Sequence, residues 1–195
     1  MTNSNFKLDN KIVIRGGVHM IELSTERLII RRFLEKDGED LYEYFSNPRV
    51  LEFEPYKPFE REEAYVEARR RTGDEKYLAV CLKSGKLIGN LYFFKGDFET
   101  WEIGYIFNEK YWGNGYASES LLALMKYAFL NLNVRRIIAQ CDPKNISSWK
   151  LLERVGMRRE GTLLQNIFFF TDEKGNPIWK DTYEYGILKS EYIKL

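Results

Sequence analysis

One histidine, two cysteines and five prolines in 195 residues set the first limits on this chain. A single His19 cannot build a histidine-rich metal cluster, and a Ser-His-Asp triad would have to be centred on that one residue. Cys81 and Cys141 each sit in an apolar, strand-like run, so both read as buried small hydrophobes rather than a disulfide framework or a zinc site. No apolar run reaches the roughly 18 residues of a membrane span, and no secretory signal pattern is present. These absences point to a cytoplasmic protein with no membrane partner and no metal. The formal net charge of +1 argues against a general nucleic-acid binder. The local basic run Arg69-Arg-Arg71 is expected to be a solvated helix end. What remains is 44% hydrophobic and 15% aromatic, enough for one domain with a real core.

Residues 1–19 are polar and lack periodicity, and a clean amphipathic strand is expected only after Met20. Arg15-Gly-Gly-Val-His-Met20 is what a purine-rich AGAGGAGG tract followed by an ATG start codon would spell. Residues 1–19 therefore read as either an ordinary N-terminal extension or an upstream leader, and residues 20–195 as a single domain.

Periodicity then alternates between strand and helix. Glu26–Phe33 reads as a strand, and Asp37 as the cap of a short helix with Leu41, Tyr44 and Phe45 that ends at Asn47-Pro48. A second helix is expected from about Glu60 to Thr72, acidic at its start, basic at its end and stopped by Gly73. Tyr77–Leu82 and Lys86–Phe94 form a hairpin through Lys83-Ser-Gly85. Trp101–Phe107 is a further strand. Ala117, Leu121, Leu124, Met125, Ala128 and Leu132 make one helical stripe facing the core. Arg136–Cys141 reads as a buried strand and Asn145–Val155 as a helix. Met157–Phe170 and Trp179–Leu188 are two long strands joined by the turn Asp172–Pro177. One mixed α/β domain accommodates all of this.

The most specific local feature is a strand that runs through Tyr111-Trp-Gly-Asn-Gly-Tyr-Ala-Ser-Glu119 into a helix. Gly113 and Gly115 let the backbone bend and come close to a ligand, and the free N–H groups of the turn and helix start favour a phosphate. The spacing does not fit a P-loop, which needs a lysine after its last glycine, nor a dinucleotide fingerprint, which needs a third glycine.

Three motifs in order resemble the GNAT family of N-acetyltransferases, in its RimJ/RimL-type protein N-terminal branch. They are Trp101-Glu-Ile-Gly-Tyr, the glycine turn, and Asn145-x-x-Ser148-x-x-Leu-Leu-Glu-Arg-Val-Gly156-Met157. The ending Lys180–Tyr192 resembles that branch as well. The resemblance implies an α/β (α+β) GNAT fold, a mixed, mostly antiparallel twisted sheet of about seven strands with about four helices. It implies acetyl-CoA as cosubstrate, held by Tyr105, Ile106 and Phe107 of the strand and by Lys110, Trp112, Gly113, Asn114, Gly115, Tyr116, Ala117 and Ser118 of the turn and helix start. Lys110 stands where the family usually has Gln or Arg. Asn145 and Ser148 would reach the pantetheine arm and the sulfur.

Transfer of acetyl to an amine needs a base, because an ammonium is no nucleophile. The resemblance points to Glu102; the alternative is a solvent-facing strand residue. The resemblance also implies that a backbone N–H near Tyr105 or Ile106 would meet the thioester carbonyl. Many relatives carry a tyrosine as acid where this chain has Leu152, which leaves Ser148 as the candidate, with simple helix capping as its alternative. Glu119 is expected to partner the helix dipole. Glu52, Phe53, Glu54 and Tyr56 could hold a cationic acceptor by charge and ring face, or form a lid on the core. Phe168-Phe-Phe170 reads as an edge or dimer surface rather than a binding box. The lack of a Cys-His pair, with Cys141 placed mid-strand, favours direct transfer. The acceptor implied is a protein N-terminus first and a small amine (polyamine, amino sugar or amino-acid derivative) second, in a monomer or homodimer. A non-catalytic acyl-CoA-binding module is the alternative from another class.

Overall fold

A computed structural model describes the backbone of residues 9–15 and 18–193, with side chains from Glu22 onward. Residues 1–8 and 16–17 of the expected leader or extension lie outside the described residues. The strands are β1 (Asp9–Arg15), β2 (Val18–Ser24), β3 (Leu28–Arg32), β4 (Tyr77–Leu82), β5 (Leu87–Lys95), β6 (Thr100–Phe107), β7 (Arg136–Cys141), β8 (Arg158–Thr171) and β9 (Pro177–Leu188). The helices are α1 (Gly38–Phe45), α2 (Arg61–Thr72), α3 (Tyr116–Leu130), α4 (Ile146–Arg154) and the single turn α5 (Lys189–Tyr192). All nine strands form one sheet in the order β1-β2-β3-β4-β5-β6-β7-β9-β8. The sheet exceeds the expected size because β1 pairs with β2 as a hairpin, and β2 starts at Val18 rather than after Met20.

One junction is parallel. β6 pairs with β7 only at Thr100↔Arg136, Trp101↔Ile137 and Glu102↔Ile138. Past that point β6 runs on to Phe107 and β7 to Cys141 without further pairing between them. The two strands part in mid-sheet, and a cleft opens in the gap.

Period-2 alternation divides the core between the two sheet faces. On β4, Leu78 and Val80 join the cluster built on α3 and α4, while Ala79 and Cys81 join the cluster built on α1. The α3 stripe supplies Leu121, Leu124, Met125 and Ala128, all fully buried. Leu132 departs from expectation: α3 ends at Leu130, so Leu132 falls in the following turn and is exposed. No helix among the described residues is long and apolar enough to cross a membrane.

Two polar residues sit differently from their sequence reading. Asp37 makes no side-chain cap on α1; its carboxylate instead accepts two bonds from the Arg31 guanidinium, at 2.7 and 2.8 Å, and one from the Leu34 N–H. Arg71 is not a solvated helix end, for its side chain is 0% exposed. Its Nε donates to Glu67 at 2.7 Å, and the guanidinium lies over the rings of Tyr77, Phe45 and Phe33 at 4.4, 4.8 and 5.3 Å. The two terminal nitrogens have no hydrogen-bond partner. Ring faces attract the cation but do not replace hydrogen bonds, and Glu67 keeps Arg70 as a second partner. Arg71→Met is therefore expected to leave the Tm unchanged or raise it. A fall of more than about 5 °C in a melting scan would show that the ring contacts outweigh the orphaned donors.

Candidate active site

The glycine turn is built by its own side chains. Asn108 is buried and accepts from the Lys110 N–H. The Trp112 indole N–H donates to the Phe107 carbonyl at 2.8 Å, tying the turn to the end of β6. Asn114 Nδ2 donates to the Trp112 carbonyl at 3.0 Å. Gly113 and Gly115 have φ of +76° and +79°, and a Cβ on Gly113 would project into open space. The first ladder bond of α3 is Glu119 N–H to Gly115 C=O. The N–H groups of Tyr116, Ala117 and Ser118 thus precede the ladder and face outward at the positive end of a 15-residue helix. These features fit a diphosphate. The Lys110 N–H is taken by Asn108, and its largely exposed ammonium lies 3.4 Å from Glu43.

A clamp that the sequence did not announce backs this turn. Arg27 donates through Nη1 to the Asn114 carbonyl at 2.9 Å and through Nε to Glu119 at 2.6 Å, and its guanidinium lies 4.6 Å above the Tyr116 ring. Glu119 also accepts from the Thr25 hydroxyl and the Arg27 N–H. Its carboxylate is thus tied to the approach to β3, a placement that dipole reasoning alone does not give.

The cleft between the parted strands has a volume of about 240 Å³. Glu102, Gly104 and Tyr105 of β6 form one wall, and Cys141, Asp142, Asn145 and Ser148 the opposite one. Phe53 and Glu54 enter from the loop between α1 and α2, and Phe169, Lys180 and Asp181 from the β8–β9 hairpin. The structure therefore gathers Glu102, Tyr105, Asn145, Ser148, Phe53 and Glu54 in one place. Ile106 and Phe107 lie buried in the core behind it. Glu52 and Tyr56 do not join the cleft. A Glu54 N–H to Leu51 C=O turn leaves Glu52 exposed, and Tyr56 packs on Phe45 and Phe59 in the second core cluster. Phe169 lines the cleft instead of lying on an outer edge, whereas Phe168 is exposed and meets Trp179 edge-on. Cys141 is the last residue of β7 and borders the cleft, not the middle of a strand.

The Tyr105 hydroxyl is 2.8 Å from Ser148 Oγ and 3.1 Å from the Ser148 carbonyl. Burial pushes the Tyr105 phenol well above its usual range, against the Ser148 hydrogen bond, so it stays protonated and able to donate. Asn145 caps α4 by accepting from the Ser148 N–H, and Leu152 is buried in the core. Desolvation, then the nearby Glu184, raises the Glu102 carboxyl above its ordinary value. Desolvation pushes Glu54 up to about 7, with the Lys180 ammonium pulling the other way. Lys180 itself is 3.3 Å from Asp142.

Comparison with known proteins decides the family. The acetyltransferase (GNAT) domain profile matches residues 27–158. The chain belongs to the GNAT acetyltransferases. It is 39% identical over 175 residues to the uncharacterized N-acetyltransferase YnaD of Bacillus subtilis, covering 88% of this chain and 99% of the relative. It is 28% identical to the [ribosomal protein uS5]-alanine N-acetyltransferase of Escherichia coli, over 75% of this chain and 83% of that enzyme. The crystal structure of a GNAT-family acetyltransferase from Bacillus anthracis superposes with a TM-score of 0.78 at 38% identity, over 87% of this chain and 99% of the other. This GNAT chain is thus an acetyl-transferring enzyme with the family's mixed sheet, and the family uses acetyl-CoA.

Proposed function

We propose that this GNAT enzyme transfers acetyl from acetyl-CoA directly to a primary amine, a protein N-terminal amine being the first acceptor class. The parting of β6 from β7 after Glu102 carries this reading. It leaves a phosphate-accepting turn at the end of β6 and a carboxylate-bearing cleft along its middle. The backbone N–H groups of residues 113–118 would hold the diphosphate, and Asn145 the pantetheine arm. A backbone N–H near Tyr105 or Ile106 would meet the thioester carbonyl, and the Tyr105–Ser148 hydroxyl pair would give a proton to the departing sulfur. The amine would lose its proton to a carboxylate of the Glu54 and Glu102 pair. A covalent relay through Cys141 is disfavoured because burial pushes its thiol up to about 11, which keeps it protonated at neutral pH.

The uS5-alanine relative supports the N-terminal acceptor. One observation favours the second reading, a small cationic amine: Glu54, Glu102, Asp142 and Asp181 line the cleft against a single cation, Lys180. Thiol release from acetyl-CoA, measured across peptides with free N-termini, polyamines and amino sugars, tests both. We expect peptides to be turned over and N-terminally blocked peptides to be inert. Turnover of small amines alone would select the second reading, and thiol release with none of the panel would overturn transfer to primary amines. With the best acceptor, Tyr105→Phe is expected to lower kcat about tenfold, Ser148 supplying the remaining donor.

A further inference from the structure

We propose that Glu54, on the loop between α1 and α2, is the catalytic base that takes the acceptor's proton, and that Glu102 on β6 serves to hold the incoming ammonium. The assignment rests on the acetyl-transfer reading and refines it.

Geometry separates the two carboxylates. The Glu54 N–H is bound to the Leu51 carbonyl at 3.0 Å, a turn that fixes the residue at the cleft wall beside Phe53. Its carboxylate has no hydrogen-bond or ion-pair partner among the described residues and keeps some access to solvent. The one cation of the cleft, Lys180, is taken by Asp142 and lies over the Phe53 and Phe169 rings at 5.7 and 5.5 Å. Glu54 is thus a half-buried, unpaired carboxylate that interacts electrostatically with Tyr105, the phenol paired with Ser148. Glu102 is solvent-exposed and feels a second carboxylate, Glu184. A pair of neighbouring acids, one of them exposed, suits the capture of a cation, whereas a lone half-buried acid suits proton transfer.

The protonation state agrees. At about 7, Glu54 is ionised in a useful fraction at neutral pH and is still basic enough to accept a proton. The other titratable groups bordering the cleft are Glu102 and Tyr105 from β6, Cys141 and Asp142 at the end of β7, and Lys180 and Asp181 from β9.

The step balances as follows. Glu54 takes one proton from the ammonium. The freed nitrogen pair forms the C–N bond to the acetyl carbon, and the C–S bond breaks with its pair on sulfur. Sulfur gains a proton from the Tyr105–Ser148 pair, which the second proton shed by the nitrogen replaces. Glu54 then releases its proton to solvent, one per acetyl group transferred.

Kinetics of Glu54→Gln and Glu102→Gln between about pH 5.5 and 9.5, with the best amine of the panel, test this. Wild-type kcat should rise through an ionisation near 7. Glu54→Gln should lose that limb and about a hundredfold in kcat at neutral pH, recovering in part at high pH where free amine forms, with acetyl-CoA affinity retained. Glu102→Gln should mainly raise the amine KM, about tenfold. Glu54→Gln with wild-type kcat and profile, or Glu102→Gln taking the kcat loss instead, overturns the assignment while leaving acetyl transfer intact. A wild-type enzyme inert toward every primary amine overturns the acetyl-transfer reading itself.

Stability gives a readout independent of turnover. A carboxyl raised from 4.5 to about 7 by folding is protonated in both states at pH 4, but costs the folded state its lower affinity for the charge above 7. Stability is therefore lost as pH rises through this window, and Glu54→Gln should restore it. The variant should melt a few degrees above wild type at pH 8 and level with it at pH 4. Equal melting at both pH values would show that Glu54 is not held in its raised state.

Discussion

Gly115→Val is expected to abolish acetyl-CoA binding while leaving the protein folded. Gly115 has φ of +79° and is the residue from which α3 starts. A β-branched side chain at positive φ costs on the order of 1–2 kcal/mol or more, so the backbone would leave that well. A Cβ there would also stand 3.5 Å from Arg27 Nη2, with further valine carbons crowding the same guanidinium. The likewise clamped Asn114 carbonyl would then shift, and the N–H groups of Tyr116, Ala117 and Ser118 would no longer converge. Each lost charge-assisted bond to a phosphate removes on the order of 1.5–3 kcal/mol, so two of them amount to more than a hundredfold in Kd. Calorimetric titration should show no binding at acetyl-CoA concentrations that saturate wild type, with far-ultraviolet circular dichroism unchanged. Gly113→Val is the informative partner: its φ is +76° but its Cβ meets nothing, so only strain acts and the loss should be smaller. Equal Kd values for wild type and Gly115→Val would mean that the diphosphate does not use this turn.

This turn was legible in the sequence because positive φ demands glycine at fixed places, a local constraint. The same holds for β6, α3 and α4, whose periodicity is strong and whose motifs are contiguous. Leu132 failed because the helical period carries no stop signal of its own: α3 ends at Leu130 and the spacing continues by chance. Arg71 failed because a run of arginines looks the same whether or not three aromatic rings from distant elements cover one of them. The parting of β6 and β7, which makes the cleft, is a tertiary event with no sequence signature. So was the division of labour within Glu52–Tyr56. One turn, Glu54 N–H to Leu51 C=O, turns Phe53 and Glu54 into the cleft and leaves Glu52 outside. The pairing of the Tyr105 phenol with Ser148, 2.8 Å away across the cleft, likewise had no sequence signature.

Glu119→Gln should unfold the molecule more readily than any other single change considered, by about 3 kcal/mol, and weaken acetyl-CoA binding along with it. The Glu119 side chain is 4% exposed and is the common acceptor for three separate groups. Thr25 Oγ1 and Arg27 Nε each donate at 2.6 Å, and the Arg27 backbone N–H at 3.0 Å. Glutamine keeps the shape but replaces one acceptor oxygen with an NH2 group. Whichever way the amide turns, a donor then faces a donor: Arg27 Nε in one orientation, Thr25 and the backbone in the other. A buried donor without an acceptor costs about 1–3 kcal/mol, more when charged. The Arg27 side chain is 44% exposed, so water can solvate it and the loss stays below that of a fully buried broken pair. A drop of about 6–12 °C in Tm is the expected reading for a domain of this size. The binding effect follows from Arg27 Nη1, which holds the Asn114 carbonyl only while Glu119 fixes the guanidinium. A double-mutant cycle with Thr25→Val separates the two contributions: the Thr25–Glu119 coupling should appear in Tm but not in acetyl-CoA affinity. If Glu119→Gln melted within about 2 °C of wild type, the carboxylate would be no more than the helix-dipole partner that its place in the first turn of α3 suggests.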